Sequence, residues 1–307
     1  MKVMISIIGE QPIPNLLALR YERPTESVLI FTDFTRSTAE RLHNLITKDS
    51  QCYLLQTDPY DIQSIYKDLR EVIERYSWHG EDLVFNLTGG TKPMVLAAYR
   101  VAAELQSSFL YLQSEGRRSR LYRYEFDAGT YRKVSDEFLP ELITIDEFVQ
   151  AYLGRIPQRR KKQRDEFGKA FEDAIAAALR DINLEVKVGV HLAGALEVDL
   201  MVRYENQVGV IQAKTGKSAG EKRGLDQLNA VCDQRYLGTY TRKILAINTT
   251  WDKTRTNLKE LADAWKITVI ELPSFSQDSL SLSPTDKRYL QETVYYVLGG
   301  RRASAVP

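Results

Sequence analysis

The sequence predicts an α/β protein of two domains with different topologies, a doubly wound parallel sheet followed by a mixed α/β unit. Three observations carry this. As far as about residue 135, apolar strand-like runs alternate with amphipathic helical stretches. The run 155–164 (RIPQRRKKQR) then breaks the pattern with six basic residues, a proline and no acidic residue. Beyond it the order becomes helix, three strands, helix, strand, helix, strand.

In the first part, strand-like runs fall at 3–8, 28–31, 53–55, 83–87 and 109–112. Helical stretches lie between them at 14–20, 36–46, 61–76 and 93–105. Segments 121–126 and 131–134, separated by Asp127, Ala128 and Gly129, read as a closing hairpin. Parallel strands joined by helices give a Rossmann-like domain. In the second part, 165–179 forms a helix with Phe167, Phe171, Ile175 and Leu179 on one stripe. Strands are expected at 184–190, 196–204 and 208–213, then a helix at 221–236, a strand at 243–247, a helix at 252–265, a strand at 267–272 and a terminal helix at 287–298. The domains are placed at 1–145 and 165–307, with 146–164 as linker.

Composition narrows the function classes. A chain of 307 residues supports two separate cores, and 43% hydrophobic with 27% charged residues is ordinary for a soluble globular protein. The formal net charge of +1 excludes a polycation, so nucleic-acid contact must come from local basic patches. Cys52 and Cys232 stand alone, and His43, His79 and His191 are scattered, which argues against a zinc site, a disulfide framework or an imidazole-built metal centre. Residues 1–8 are too short for a signal peptide, and no apolar run is long enough to span a bilayer. A cytoplasmic protein without a membrane partner is expected.

The first site candidate is Asn86-Leu87-Thr88-Gly89-Gly90-Thr91-Lys92-Pro93-Met94. It leaves a buried strand and opens a helix, with Thr91 suited to cap it and Pro93 to its first turn. Two glycines free backbone N–H groups, the helix start adds partial positive charge, and Lys92 adds a full one, a combination suited to a phosphodiester. The spacing matches neither GxxxxGK[ST] nor GxGxxG, so neither ATP hydrolysis nor a dinucleotide is expected. Strand ends at Gly9-Glu10-Gln11 with Asn15 beyond, at Thr32-Asp33 and at Thr57-Asp58 would line the same crevice.

The run NLTGGTKPM, together with IGEQPIPN at the first strand end, resembles the CARF domains of type III CRISPR ancillary proteins. The resemblance covers the whole first domain. It implies binding of a cyclic oligoadenylate messenger across a two-fold homodimer, with Gly9, Gln11, Asn15, Thr32, Thr88, Gly89, Gly90, Thr91, Lys92 and Met94 near the ligand.

The second candidate is Glu197-Val198-Asp199 with Gln212-Ala213-Lys214 on neighbouring strands. Period-two alternation puts Gln212 and Lys214 on one face, and a lysine near the end of an otherwise apolar strand is conspicuous. Phosphodiester hydrolysis calls for a hard cation on oxygen ligands, here Asp199, Gln212 and the Ala213 carbonyl, and an ammonium to stabilise developing charge, here Lys214. Glu172 on the preceding helix is expected to reach the metal or its waters, Gln227 to complete the polar cluster, and Glu197 to lie on the face of Asp199 and compensate for a missing acid. Lys217, Lys222 and Arg223 are expected to track a nucleic-acid backbone, or else to be solubilising charge.

This array resembles the PD-(D/E)xK (restriction-endonuclease-like) superfamily, with one departure. Gln212 stands where that pattern has an acid, as in Mrr-type restriction nucleases, and fewer negative ligands should weaken metal binding. A CARF domain followed by such a domain resembles the CRISPR-associated nucleases activated by cyclic tetra-adenylate, which implies a Mn2+- or Mg2+-dependent endonuclease acting on single-stranded RNA or DNA or nicking duplex DNA. The alternatives are a ring nuclease that degrades the messenger in its own domain, and a non-enzymatic ligand-responsive DNA-binding regulator.

Overall fold

The computed structural model describes residues 2–115, 118–127, 129–159, 165–193, 196–233, 236–238, 240–251 and 255–300. Ala128 of the expected hairpin turn and residues 160–164 of the basic run lie outside them. By internal packing the chain divides into two units, Met1–Ile143 with Gln150–Gly154, and Thr144–Val149 with Arg155–Pro307.

The first unit contains β1 (Val3–Ile7), α1 (Pro12–Glu22), β2 (Glu26–Phe31), α2 (Arg36–Ile46), β3 (Gln51–Gln56), α3 (Ile62–Arg75), β4 (Leu83–Asn86), α4 (Lys92–Glu104), β5 (Ser108–Glu115), β6 (Arg118–Asp127) and β7 (Thr130–Phe138). The sheet order is β3-β2-β1-β4-β5-β6-β7, parallel from β3 to β5 and antiparallel through β6 and β7. The chain winds outward from β1 to β3 and then crosses back to β4. The carboxyl ends of β1 and β4 therefore flank the point where strand order reverses, the place where an open α/β sheet leaves a crevice. Val3, Ile5, Ile7, Phe85 and Phe109 pack with Leu69, Ala98 and Val101 in the core beneath α3 and α4. Asp61 caps α3 by accepting from the N–H groups of Gln63 and Ser64, and Thr91 caps α4 by accepting from that of Met94.

Residues Ile145–Leu153, all but the first of them in the stretch assigned to the linker, form α5. Ile145, Phe148, Val149 and Tyr152 are buried at helical spacing. The second unit continues with β8 (Gln158–Arg159), α6 (Glu166–Arg180), β9 (Glu185–Ala193), β10 (Leu196–Tyr204), β11 (Gln207–Lys214), α7 (Arg223–Val231), β12 (Arg242–Ile247), α8 (Thr256–Ala264), β13 (Ile267–Glu271) and α9 (Pro284–Val297). Its sheet runs β13-β12-β11-β10-β9-β8, with β11, β12 and β13 parallel and the remaining pairs antiparallel. The two faces of this sheet differ. Leu200, Ile211, Ala213 and Ala246 turn towards Phe171, Ile175 and Leu179 of α6. Lys214 and Leu245 turn to the other face, against Gly224 of α7. Among the described residues no helix is long and apolar enough to cross a membrane.

Candidate functional site

In the first unit the TGGTK loop is pinned to the end of β1 by a buried chain of hydrogen bonds. Asn86 Nδ2 donates to Asn15 Oδ1 (2.8 Å), and Asn15 Nδ2 donates to the Ile7 carbonyl (3.2 Å). Asn86 Oδ1 receives both the N–H and the hydroxyl of Thr88 (3.2 and 2.5 Å), while Thr88 Oγ1 accepts from the N–H of Leu112 (2.9 Å). Thr91 donates to the Pro59 carbonyl (2.5 Å), so the loop also holds the chain beyond β3. The backbones meet closely enough that only glycine fits. A Cβ on Gly89 would fall 2.3 Å from the Ile7 carbonyl oxygen, and Gly90 sits at φ +74°.

Above this loop lies a cavity of about 930 Å3 lined by the strand ends expected to form the crevice. Gly9, Thr32, Gly90, Thr91 and Met94 line it. Thr88, Gly89 and Lys92 line a second hollow of about 630 Å3, which shares Gly90 and is walled by Tyr99, Tyr111, Tyr124 and Tyr131. Gln11 and Asn15 line neither cavity. Asn15 is buried as part of the scaffold, and Gln11 accepts from the Tyr152 hydroxyl (2.7 Å). Lys92 is exposed and makes no ion pair with a described residue, so its ammonium is available to an anion.

The larger cavity has polar walls that the sequence placed only in part. Asp33 receives Arg36 (2.8 Å) and Gln56 Nε2 (3.0 Å). The N–H groups of Tyr60 and Asp61 hold the Asp58 carboxyl below the usual carboxylate range. Two aromatic side chains at this cavity stand unusually free, Phe34 at 77% and Tyr60 at 74% exposure. Neither was singled out from the sequence, because an exposed aromatic in a loop gives no periodic signal.

In the second unit Asp199 and Lys214 meet. The ladder between β10 and β11 runs from Tyr204↔Gln207 to Leu200↔Ile211 and stops there, although both strands continue. Beyond that point side chains replace backbone pairing. Asp199 Oδ2 accepts the N–H of Ala213 (2.8 Å), and Gln212 Nε2 donates to the Glu197 carbonyl (3.2 Å). Lys214 Nζ donates to Gln212 Oε1 (3.0 Å) and stands 3.6 Å from Asp199 Oδ2. These partners fix the Gln212 amide, since a carbonyl only accepts and an ammonium only donates. The Asp199, Gln212 and Lys214 side chains are 2%, 1% and 10% exposed or less, so this is a buried polar cluster inside a hydrophobic sheet.

Glu172 is also buried, on α6, which covers the sheet face opposite to the one Lys214 occupies. Gln227 lies on α7 with its Oε1 buried and without a hydrogen-bond partner among the described residues. Glu197 turns its carboxylate to His191 of β9, at 3.7 Å. Gly224 lets α7 lie directly on the lysine, for a Cβ there would come within 3.3 Å of Lys214 Cγ and 2.9 Å of Leu245 Cδ1. Lys217, Lys222 and Arg223 are exposed just beyond β11, with Lys222 paired to Asp226 at 3.3 Å. The two thiols contribute no nucleophile, as burial pushes Cys52 and Cys232 up to about 12.

The model of one family, the Card1 CARF domain, matches residues 3–148. The N-terminal unit is of the CARF type. Among solved structures, Can2 from Sulfobacillus thermosulfidooxidans in complex with cyclic tetra-adenylate is similar to 96% of this chain over 97% of its own length, at 14% identity and a TM-score of 0.71. Protein VC1899 from Vibrio cholerae is similar over 98% of this chain and 99% of its own, at 14% identity and a TM-score of 0.68. A type III CRISPR defence DNA nuclease activated by cyclic oligoadenylate gives 14% identity and a TM-score of 0.59, over 81% of this chain and 46% of that one. At such identities the likeness speaks for the fold. No curated protein matches the chain by sequence.

The CARF cavity and its two free aromatics suit a ligand with nucleobases, because every base offers a π-face for stacking. Tyr60→Ala and Phe34→Ala are each expected to weaken binding of such a ligand by about tenfold, from the ~1–3 kcal/mol that base stacking contributes. Titration calorimetry on the two variants checks this. Unchanged affinity in both would exclude stacking at these rings.

Proposed function

We propose that the protein is a metal-dependent nuclease of type III CRISPR defence, switched on by cyclic tetra-adenylate held at the TGGTK loops of a homodimer. The observation that carries the reading is the side-chain meeting of Asp199, Gln212, Ala213 and Lys214 where β10 and β11 part. A ring of even symmetry suits two copies of the CARF cavity related by a two-fold axis.

The donor atoms at this site fit a hard divalent cation, Mn2+ or Mg2+. Among the described residues no three His, Cys, Asp or Glu side chains group to hold a metal, so the set must draw on amide and carbonyl oxygens. Asp199 supplies a carboxylate and Gln212 its Oε1. Ala213 turns its N–H to Asp199, and in an extended strand the carbonyl of a residue points to the same lateral side. Glu172 would have to reach the cation from the α6 side, and Gln227 Oε1, without a partner among the described residues, would be a further oxygen on the α7 side. A cation bound there would supply Lewis-acid polarisation of the phosphodiester and neutralise part of its charge.

The residues of the chain do the rest. Gln212 presents its Oε1 to Lys214 and so aims the ammonium at the gap. The ammonium stabilises negative charge as it develops on the phosphorus oxygens, in a setting where burial of the cluster strengthens it. With an amide in place of an acid at 212, the cation is held by less negative charge, so activity should rise with Mn2+ concentration well beyond the level that saturates an all-carboxylate site.

Incubation with labelled single-stranded RNA, single-stranded DNA and supercoiled plasmid tests the reading, with and without cyclic tetra-adenylate and Mn2+. Cleavage is expected only when both are present, and EDTA should abolish it. A protein that only linearises the messenger would support the ring-nuclease alternative, and ligand-dependent DNA binding without cleavage the regulator.

A further inference from the structure

Beyond the lysines and arginine that follow β11 in sequence, a cation from a different loop reaches the same edge of the second unit. Parallel pairing of β11, β12 and β13 brings their carboxyl ends together. The end of β11 and the turn Gly216–Gly220 after it are bound to the loop after β12 by three hydrogen bonds. Asn248 N–H donates to the Lys214 carbonyl (3.3 Å), Gly216 N–H to Asn248 Oδ1 (3.1 Å), and the buried Trp251 Nε1 to the Ala219 carbonyl (2.8 Å). This packing delivers Arg255 onto Gly220. A Cβ at Gly220 would fall 2.5 Å from Arg255 Nη2 and 2.6 Å from its Cζ.

The Arg255 guanidinium is half-buried, yet makes no ion pair or hydrogen bond with a described residue. A guanidinium that has lost part of its hydration and has no carboxylate partner is poised for an anion, and its planar fork matches a phosphate. Lys217 and Arg223, on the segment that holds Gly220, are likewise without an ion pair among the described residues.

We infer that Arg255, seated on Gly220, is a phosphate-binding residue for the nucleic-acid strand that enters the Lys214 site. The inference rests on the nuclease reading, and it extends the contact surface from the segment after β11 to the loop after β12. Glycine at 220 follows from it, because any side chain there would displace the guanidinium.

Anisotropy of labelled single-stranded DNA and RNA, on the full chain with cyclic tetra-adenylate and in EDTA to prevent cleavage, tests it across about 50–200 mM salt. Arg255→Ala is expected to weaken binding about tenfold at low salt and to reduce the slope of log K against log[salt] by about 0.7, the share of one phosphate contact. Gly220→Ala should act in the same direction with an unchanged melting temperature, since the atoms its Cβ meets are the far end of a flexible side chain. Arg255→Lys should keep the slope and lose part of the affinity. Wild-type slope and affinity in Arg255→Ala and Gly220→Ala would overturn the assignment and leave the nuclease reading standing. Absence of salt-dependent binding by the wild-type chain would overturn both.

Discussion

Replacing Lys214 by alanine is expected to lower nucleic-acid cleavage by about 10²–10³-fold or more, the scale for removing a donor aimed at developing charge. Affinity for cyclic tetra-adenylate should stay at the wild-type value, because the proposed reading places the messenger in the other unit. The ammonium lies 3.0 Å from Gln212 Oε1 and 3.6 Å from Asp199 Oδ2, so its loss removes the donor to a buried amide oxygen and the counter-charge of a buried carboxylate. Some loss of stability is therefore expected alongside the catalytic defect. Lys214→Met separates the catalytic defect from lost packing, since it keeps the stem that packs under Gly224 and removes only the ammonium. Single-turnover rates with thermal unfolding on both variants give the answer. A methionine variant that folds normally and still cleaves at the wild-type rate would remove Lys214 from the mechanism.

The second large effect is expected at Gly89. A Cβ there would meet the Ile7 carbonyl oxygen at 2.3 Å, Asn15 Nδ2 at 2.9 Å and the Gly9 N at 2.9 Å. Two of these atoms are backbone and the third belongs to a buried side chain held by two hydrogen bonds, so nothing nearby can yield. Gly89→Ala should cost about 1–3 kcal/mol of stability through overpacking. By pushing the loop away from β1 it should also weaken messenger binding about 100-fold or more, equivalent to about 2.8 kcal/mol, and abolish activated cleavage with it. Calorimetry at a temperature well below the melting point measures the binding loss apart from the folding loss. Wild-type affinity in a destabilised protein would mean that the loop shapes the fold and takes no part in holding the ligand.

The sequence exposed those features that repeat or that contrast with their surroundings. The strands and helices of the first unit were legible because apolar runs alternated with 3.6-period stripes, and the TGGTK loop stood out between a buried strand and a helix start. Lys214 was visible as a cation ending an apolar strand. Helix α5 carries a readable period at Ile145, Phe148, Val149 and Tyr152, but the proline and basic run just after it drew the eye to a connector. The two-residue strand β8 is too short to leave any pattern. Phe34, Tyr60 and Arg255 escaped for a different reason. Each owes its interest to exposure or to a neighbour distant in the chain, and neither property can be read from local spacing. Asn15 shows the converse. Its position after a strand end suggested ligand contact, whereas burial and its bonds to Ile7 and Asn86 make it a brace for the loop.

The pairing of Asp199 with Lys214 around a divalent ion is tested most directly by anomalous diffraction from crystals soaked in Mn2+. A peak is expected in the gap between β10 and β11, about 2.0–2.6 Å from oxygens of Asp199 and the Ala213 carbonyl, and it should vanish in Asp199→Asn. Crystals of active protein that bind Mn2+ elsewhere, with this gap closed by the Asp199–Ala213 and Lys214–Gln212 bonds, would contradict the account.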